Sequence, residues 1–148
     1  MIIRKRAECW IVENNKVWVG VQKGRIMLPG GTLEDDETTQ QTAIRETKEE
    51  VGIVPTNLKL ICKNLIARDN WNGWTHAQTF SYRADFGGID ESLLGNGPEG
   101  KFNRVNMSLD KLKSYFEVML NKDDHMKEVA EQNIWIINQF INGDIKCQ

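Results

Sequence analysis

The chain has no cysteine framework: only Cys9, Cys62 and Cys147 occur in 148 residues. An odd number of widely spaced thiols gives neither a disulfide set nor a tetrahedral zinc pattern, so reduced thiols in a cytoplasmic protein are expected. Histidine is equally scarce, and His76 and His125 lack metal-ligand spacing. No apolar run follows the opening MIIRKR, and none elsewhere approaches membrane-spanning length. Neither a signal peptide nor a membrane partner is therefore expected. Charge of one sign is also missing: 19 basic residues face 21 acidic ones, for a net charge of −2. General binders of nucleic acid or anionic membrane are usually basic, so nucleic acid is not an expected partner. Affinity for a polyanion has to come from a local site or a bound cation. Repeats, low-complexity tracts and linkers are absent too. With 40% hydrophobic and 27% charged residues, the chain reads as one domain over residues 1–148, long enough to bury a core.

The pattern along the chain alternates strands and helices. Ala7 to Val21 reads as a hairpin turning at Glu13-Asn14-Asn15-Lys16, with Val17, Val19 and Val21 alternating on its second strand. Met27-Leu28-Pro29-Gly30-Gly31 reads as a short strand broken by Pro and Gly. Thr38 to Val51 holds no Pro or Gly and predicts a helix, stopped by Gly52. Leu58 to Arg68 and His76 to Asp85 are two further strands, with 69–74 as a loop between them. Residues 87–100 form a longer Gly-rich loop. Ser108 is placed to cap a helix through Phe116, and Asp123 or Asp124 to cap the last one. There Met126, Ala130, Ile134, Ile137 and Ile141 fall at helical spacing, and Gly143 ends the run. The fold class is α/β, a mixed sheet with helices on its faces.

The chemistry concentrates on the first helix. At about 100° per residue, Glu46, Glu49 and Glu50 share one arc, and Ile44, Thr47 and Val51 face the opposite way, toward a core. Acids at i, i+3 and i+4 repel by a few tenths of a kcal/mol per pair, so something must offset the cost. A hard divalent cation does so, because Mg²⁺ binds oxygen clusters and keeps water and phosphate oxygens as further ligands. Taken alone, the same acids read more readily as a solvated face.

The longer pattern decides between these. GTLEDDETTQQTAIRETKEEVGI resembles the Nudix box, G-x5-E-x7-R-E-U-x-E-E-x-G-U, in which U is a bulky aliphatic residue. Gly31, Glu37, Arg45, Glu46, Glu49, Glu50, Gly52 and Ile53 match at the required spacing. Thr47 departs, standing where the family has an aliphatic residue. The chain is thus identified as similar to the MutT-like Nudix hydrolases, whose fold is an α/β/α sandwich with a mixed sheet. That resemblance implies that Glu46, Glu49 and Glu50 ligate metal and that the carbonyl of Gly30 joins them. It implies that Glu37 and Arg45 form a supporting pair, with Arg45 counted in the catalytic set. A later loop acid often serves as further ligand or base, and Glu99 in Gly97-Pro98-Glu99-Gly100 resembles that placement; Glu91 is a weaker candidate. Glu49, Glu50 and Glu99 are the candidate catalytic carboxylates.

Candidate substrate contacts are Lys23 and Arg25 ahead of the Leu-Pro-Gly-Gly strand, Arg6 and Arg4 on the first strand, and Arg68. Trp71 or Trp74 offers a face for a base. The implied activity is Mg²⁺- or Mn²⁺-dependent cleavage of a phosphoanhydride in a nucleoside diphosphate linked to another moiety, releasing a nucleoside monophosphate. The SQPWPFPxS tract of NADH pyrophosphatases is absent, as are the proline and tyrosine that mark ADP-ribose and dinucleoside polyphosphate enzymes past the box. A nucleoside triphosphate or nucleotide sugar stays open, as does a non-catalytic nucleotide-binding module of the same fold. Monomer and homodimer are both compatible.

Overall fold

The first strand, β1 (Ile3–Glu13), sorts the molecule into two layers of packing. Its side chains alternate across the sheet. Ala7, Cys9 and Ile11 join one buried cluster, and Trp10 and Val12 join the other. The structure is a computed structural model describing residues 1–122 and 125–143, with the side chains of 69–71 outside the description. The predicted caps Asp123 and Asp124 fall outside the described residues.

β1 turns into β2 (Lys16–Gln22) through Asn14 and Asn15, both at positive φ, 54° and 59°. Two such residues make the two-residue turn that matches strand twist, and asparagine tolerates them. β2 continues antiparallel to β3 (Arg25–Met27) and also pairs with β7 (Asn103–Ser108). The Met27–Gly31 stretch expected as one strand is two: Leu28 and Pro29 break it, and β4 (Gly30–Thr32) pairs with β1 instead. β5 (Ile53–Trp71) and β6 (Trp74–Ile89) form a long hairpin, and β6 runs parallel to β1 from Ile3↔His76 to Ile11↔Ala84. The loop expected over 69–74 shrinks to Asn72-Gly73, again at positive φ. The order β3-β2-β1-β6-β5, with β4 on β1 and β7 on β2, makes a mixed sheet.

Helices cover both faces. α1 (Thr39–Val51) packs on the side of Ala7, Cys9 and Ile11. Its start is a capping box in which Thr38 and Gln41 exchange side-chain-to-backbone bonds, and Gly52 ends it in the left-handed conformation at φ 68°. α2 (Leu109–Met119), capped by Ser108 as expected, and α3 (His125–Ile141) cover the Trp10 side, where Trp10 stacks on Phe140 at 6.1 Å. No helix among the described residues is long and apolar enough to cross a membrane.

The buried stripe of α3 differs from the expected one. Ala130 and Ile137 are in it, but its other members are Asn133, Ile136 and Phe140, while Ile141 is 40% exposed. Truncation should separate the two phases. Ile136→Ala should cost about 2–5 kcal/mol in urea unfolding, whereas Ile141→Ala should cost about 0.5 kcal/mol or less, as at an ordinary surface site. Equal losses would contradict the observed packing.

Candidate active site

The site forms where the β4 turn meets α1, and glycine permits the contact. A Cβ on Gly31 would sit 2.5 Å from the Glu46 carboxyl carbon, and one on Gly30 would sit 2.5 Å from the carbonyl oxygen of Ala7. Both are far below van der Waals contact, so a larger residue at Gly30 meets the β1 backbone and one at Gly31 displaces the Glu46 carboxylate. The amide of Gly30 donates to Glu50 Oε1 at 2.9 Å.

The expected division of α1 into a core face and an opposite acidic face needs correction. Relative to Ile44 at 0°, the buried residues Val51, Thr47, Ala43, Glu50, Glu46 and Thr42 fill one arc from about −20° to −200°. Glu46 and Glu50, at 8% and 4% exposure, thus belong to the buried arc itself. Ile44 lies at the arc's edge and is only half-buried. Thr47 does point coreward, where its hydroxyl donates to the carbonyl of Ala43 at 2.7 Å. That local bond satisfies the hydroxyl, which explains how a polar residue fits a position expected to be aliphatic.

Arg45 compensates the acids. Its Nε and Nη2 donate to the two oxygens of Glu37 at 2.7 and 3.0 Å, a bidentate fork. Nη1 reaches Glu46 Oε1 at 2.9 Å and Glu49 Oε2 at 3.2 Å, and Nη2 also reaches the carbonyl of Thr32 at 3.1 Å. Glu34, 3.5 Å from Nη1, was not singled out in the sequence. One side chain therefore ties the β4 end, the loop before α1 and the helix together.

The loop over 90–102 closes the far side. The amides of Asp90, Gly95 and Phe102 donate to the carbonyls of Gly52, Glu49 and Glu50 at 2.9, 2.7 and 2.9 Å, and Arg104 Nη1 reaches the carbonyl of Val51 at 3.0 Å. These are carbonyls that a helix end leaves without intrahelical partners. Gln22 Nε2 adds bonds to the carbonyls of Glu99 and Lys101 at 3.0 and 3.2 Å. The loop so held places Gly97 against Glu49 and brings Glu99 beside Gly30 and Gly31. Glu91 instead pairs with Arg104 at 3.0 Å.

Two clefts meet at the glycine turn. One, of about 280 Å³, is lined by Glu46, Glu50, Glu99 and Arg45. The other, of about 360 Å³, runs between the sheet and α2–α3 and shares Arg4, Gly30, Gly31 and Glu99 with the first. Arg6, Arg25 and Arg68 line this larger cleft. Lys23 sits exposed on the β2–β3 turn and lines neither. Trp74 lines neither as well; the guanidinium of Arg4 lies over its ring at 5.4 Å, so it positions a cleft arginine where a base contact was expected. The side chain of Trp71 lies outside the described residues. Sequence reasoning missed Glu8, which lines the larger cleft from β1. Its only signal was an acid inside an otherwise apolar stretch.

Burial sets the electrostatics. It pushes the Glu50 carboxyl up to about 8, against the amide of Gly30, and raises Glu46 despite Arg45. Glu37 is held down at about 2, chiefly by its bond from Arg45. The two shifts give opposite pH dependences. A raised carboxyl loses stability as it ionises, between its unfolded value near 4.5 and about 8. In chelator, Glu50→Gln should therefore melt above wild type, by a margin that grows from pH 5 to pH 8. A lowered carboxyl gives stability present above 4.5 and lost as pH falls toward 2. Glu37→Gln should therefore melt below wild type at pH 7, by a margin that closes with acid. Calorimetry across pH checks both, and a Glu50→Gln protein less stable than wild type at pH 8 would contradict this assignment.

A model of the NUDIX domain matches residues 2–129. Among curated relatives, the 8-oxo-dGTP diphosphatase of Escherichia coli K12 is 35% identical over 57 residues, which are 34% of this chain and 44% of that protein. An uncharacterized Nudix hydrolase, orf19, from Rhodococcus erythropolis is 43% identical over 51 residues, 34% of this chain and 28% of that one. The matches thus span less than half the length of these relatives. Among solved structures, a NUDIX hydrolase from Nitrosomonas europaea superposes with a TM-score of 0.70 at 17% identity, over 95% of this chain and 89% of that one. A MutT NUDIX hydrolase from Burkholderia pseudomallei gives 0.59 at 25% identity, over 74% and 86%. With the box residues gathered at one turn and the family model matching nearly the whole described chain, the protein belongs to the Nudix family.

Proposed function

We propose that the chain is a divalent-metal-dependent pyrophosphohydrolase that cleaves a phosphoanhydride in a nucleoside diphosphate linked to another moiety, releasing a nucleoside monophosphate. The observation that carries this is the burial of Glu46 and Glu50 against the Gly30–Gly31 turn, with Glu49 and Glu99 adjoining. Acids that served only as a solvated face would not be driven into a packed arc, where burial disfavours their ionised form. Membership in a family that generally uses a divalent metal supports the same reading. The likeness to a nucleoside triphosphate diphosphatase favours a triphosphate as substrate.

The donor set fits a hard cation. Glu46, Glu49, Glu50 and Glu99, with the Gly30 carbonyl, offer only oxygen, which suits Mg²⁺ or Mn²⁺. No three acids among the described residues converge at ligand spacing. Arg45 Nη1 lies between Glu46 Oε1 and Glu49 Oε2 and supplies the positive charge there. Holding an ion requires these carboxylates to turn from Arg45 toward the glycine turn, with Arg45 still held by Glu37. A bound ion supplies charge neutralisation on the phosphate oxygens and a lowered pKa for attacking water. The chain itself does the positioning. Arg4, Arg6, Arg25 and Arg68 line the larger cleft and would bind phosphates there, with Glu99 on the 90–102 loop beside the reacting end. Glu49, Glu50 and Glu99 are the groups that can take the proton of the attacking water.

Hydrolysis of nucleoside triphosphates and nucleotide sugars, followed as phosphate after phosphatase coupling, tests the proposal. Activity should disappear in EDTA and return with Mg²⁺. Glu50→Gln should lower kcat/KM by about a hundredfold, or about 2.7 kcal/mol, and Glu99→Gln should lower kcat by roughly tenfold. Full turnover in chelator, or a Glu50→Gln protein as active as wild type, would contradict the metal-dependent mechanism, and nucleotide binding with no hydrolysis of any substrate in Mg²⁺ would leave a non-catalytic nucleotide-binding module as the reading.

A further inference from the structure

Four charged side chains are buried among the described residues: Glu8, Glu46, Glu50 and Arg83. The three acids all have partners. Glu8 accepts from Trp10 Nε1 and Ser81 Oγ, Glu46 from Arg45 Nη1, and Glu50 from the Gly30 amide. Arg83, 8% exposed, differs: among the described residues no acceptor meets its guanidinium and no carboxylate lies within ion-pair distance. Its nitrogens are not sealed in, since the enclosed side-chain atom without a partner among the described residues is Asn64 Oδ1. The guanidinium instead opens on a cavity of about 430 Å³, lined also by Asn57, Lys59 and Asp85. A buried arginine is ordinarily paired, so an unpaired one calls for a ligand that completes it.

β6 carries Arg83 two residues beyond Ser81, on the same face of the sheet. Thr79 is the last β6 residue lining the larger cleft, and at about 3.3 Å per residue Arg83 lies about 13 Å further along. The cavity shares no lining residue with either cleft at the glycine turn. It sits at a bulge in β5. Between the pairs Thr56↔Asp85 and Lys59↔Arg83, β5 has one residue more than β6, and Asn57 takes a positive φ of 53°. The register sets Lys59 directly opposite Arg83, two like charges across one rung, which destabilises the pair unless an anion lies between them. The one acid of the cavity does not fill that place. Asp85 accepts from Asn57 Nδ2 at 2.9 Å and lies beyond ion-pair distance of both cations.

We infer that Arg83 and Lys59 form a phosphate-binding site, separate from the clefts at the glycine turn. The guanidinium fork matches two oxygens of a phosphate, and the exposed Lys59 brings an ammonium to the rim. A phosphate group carries a charge of about −1.5 to −2 at neutral pH, which two cations match better than they match the single charge of a carboxylate. The phosphate is the free ion or the end of a small phosphomonoester. This site is independent of anhydride hydrolysis and stands whether or not the chain performs it.

Amide ¹H–¹⁵N spectra of the full chain, titrated at neutral pH and constant ionic strength, test this with inorganic phosphate, ribose 5-phosphate and acetate. In wild type, phosphate should move the amides of 57–59 and 83–85 along one saturating curve, with a Kd about tenfold or more below that for acetate. Arg83→Met keeps an unbranched stem without the fork and should abolish those shifts. Lys59→Met, at an exposed position, should weaken phosphate by about threefold or more. Shifts at Gly30 and Gly31 report phosphate in the arginine-lined cleft and should be the same in all three proteins. Ribose 5-phosphate acting like phosphate assigns the site to phosphomonoesters, and phosphate acting alone assigns it to the free ion. Wild-type amides at 57–59 and 83–85 that stay still, equal affinity for acetate, or unchanged shifts in Arg83→Met would overturn the inference. Phosphate affinity in Lys59→Met equal to wild type would do the same, so the test holds even if Arg83→Met does not fold.

Discussion

Two carboxylates packed into the buried arc of one helix are the constraint on which the site depends. Ionised Glu46 and Glu50 next to each other oppose folding, and burial raises both from the ordinary carboxylate range. Arg45 makes the arrangement tolerable. Its fork is committed to Glu37, and its remaining Nη1 positions lie toward Glu46 and Glu49. Buried charge is kept only when it is paired and hydrogen-bonded, and here the pairing is deliberately incomplete around Glu50, whose single bond comes from the Gly30 amide. Stability is given up at the place where the proposed cation and anionic substrate would restore it.

The surrounding elements hold this arrangement rigid. Gly30 and Gly31 let β4 lie against Glu8 and Glu46 at distances that no Cβ permits. The capping box at Thr38 and the left-handed Gly52 fix both ends of α1. The 90–102 loop then uses the free carbonyls of that C-terminal end as its anchor, so Glu99 is positioned by the same helix that carries the box acids. The sheet between the two helical layers lets the carboxylates on the α1 side and the cleft on the α2–α3 side meet at one turn.

Much of this was legible in the sequence. The spacing of Glu37, Arg45, Glu46, Glu49 and Glu50 requires neighbours on one helix, and the glycines beside Pro29 announce close approach. What was not legible depends on tertiary contacts. The helical wheel could not say which arc is buried, because acids were expected to face water and instead pack against glycine. The ladder contact of Gly30 with Glu8 makes Glu8 part of the cleft, and strand pairing does not follow from residue type. Asn72-Gly73 is a strong hairpin turn, yet the tryptophans on either side of it suggested a longer loop. Lys23 and Trp74 are candidate contacts by charge and ring alone. The fold places one on a turn and the other beneath Arg4, whose guanidinium it holds.

The central claim is that the buried acids are poised for a cation. Its most direct measurement is the melting temperature of the metal-free protein titrated with Mn²⁺, without substrate. A ligand that binds only the folded state stabilises it as RT ln(1 + [L]/Kd). Wild type should rise steadily with Mn²⁺, and Glu46→Gln, which lacks one carboxylate oxygen donor, should rise far less at each concentration. A wild-type melting temperature that does not move with Mn²⁺, or the same rise in Glu46→Gln, would contradict the account.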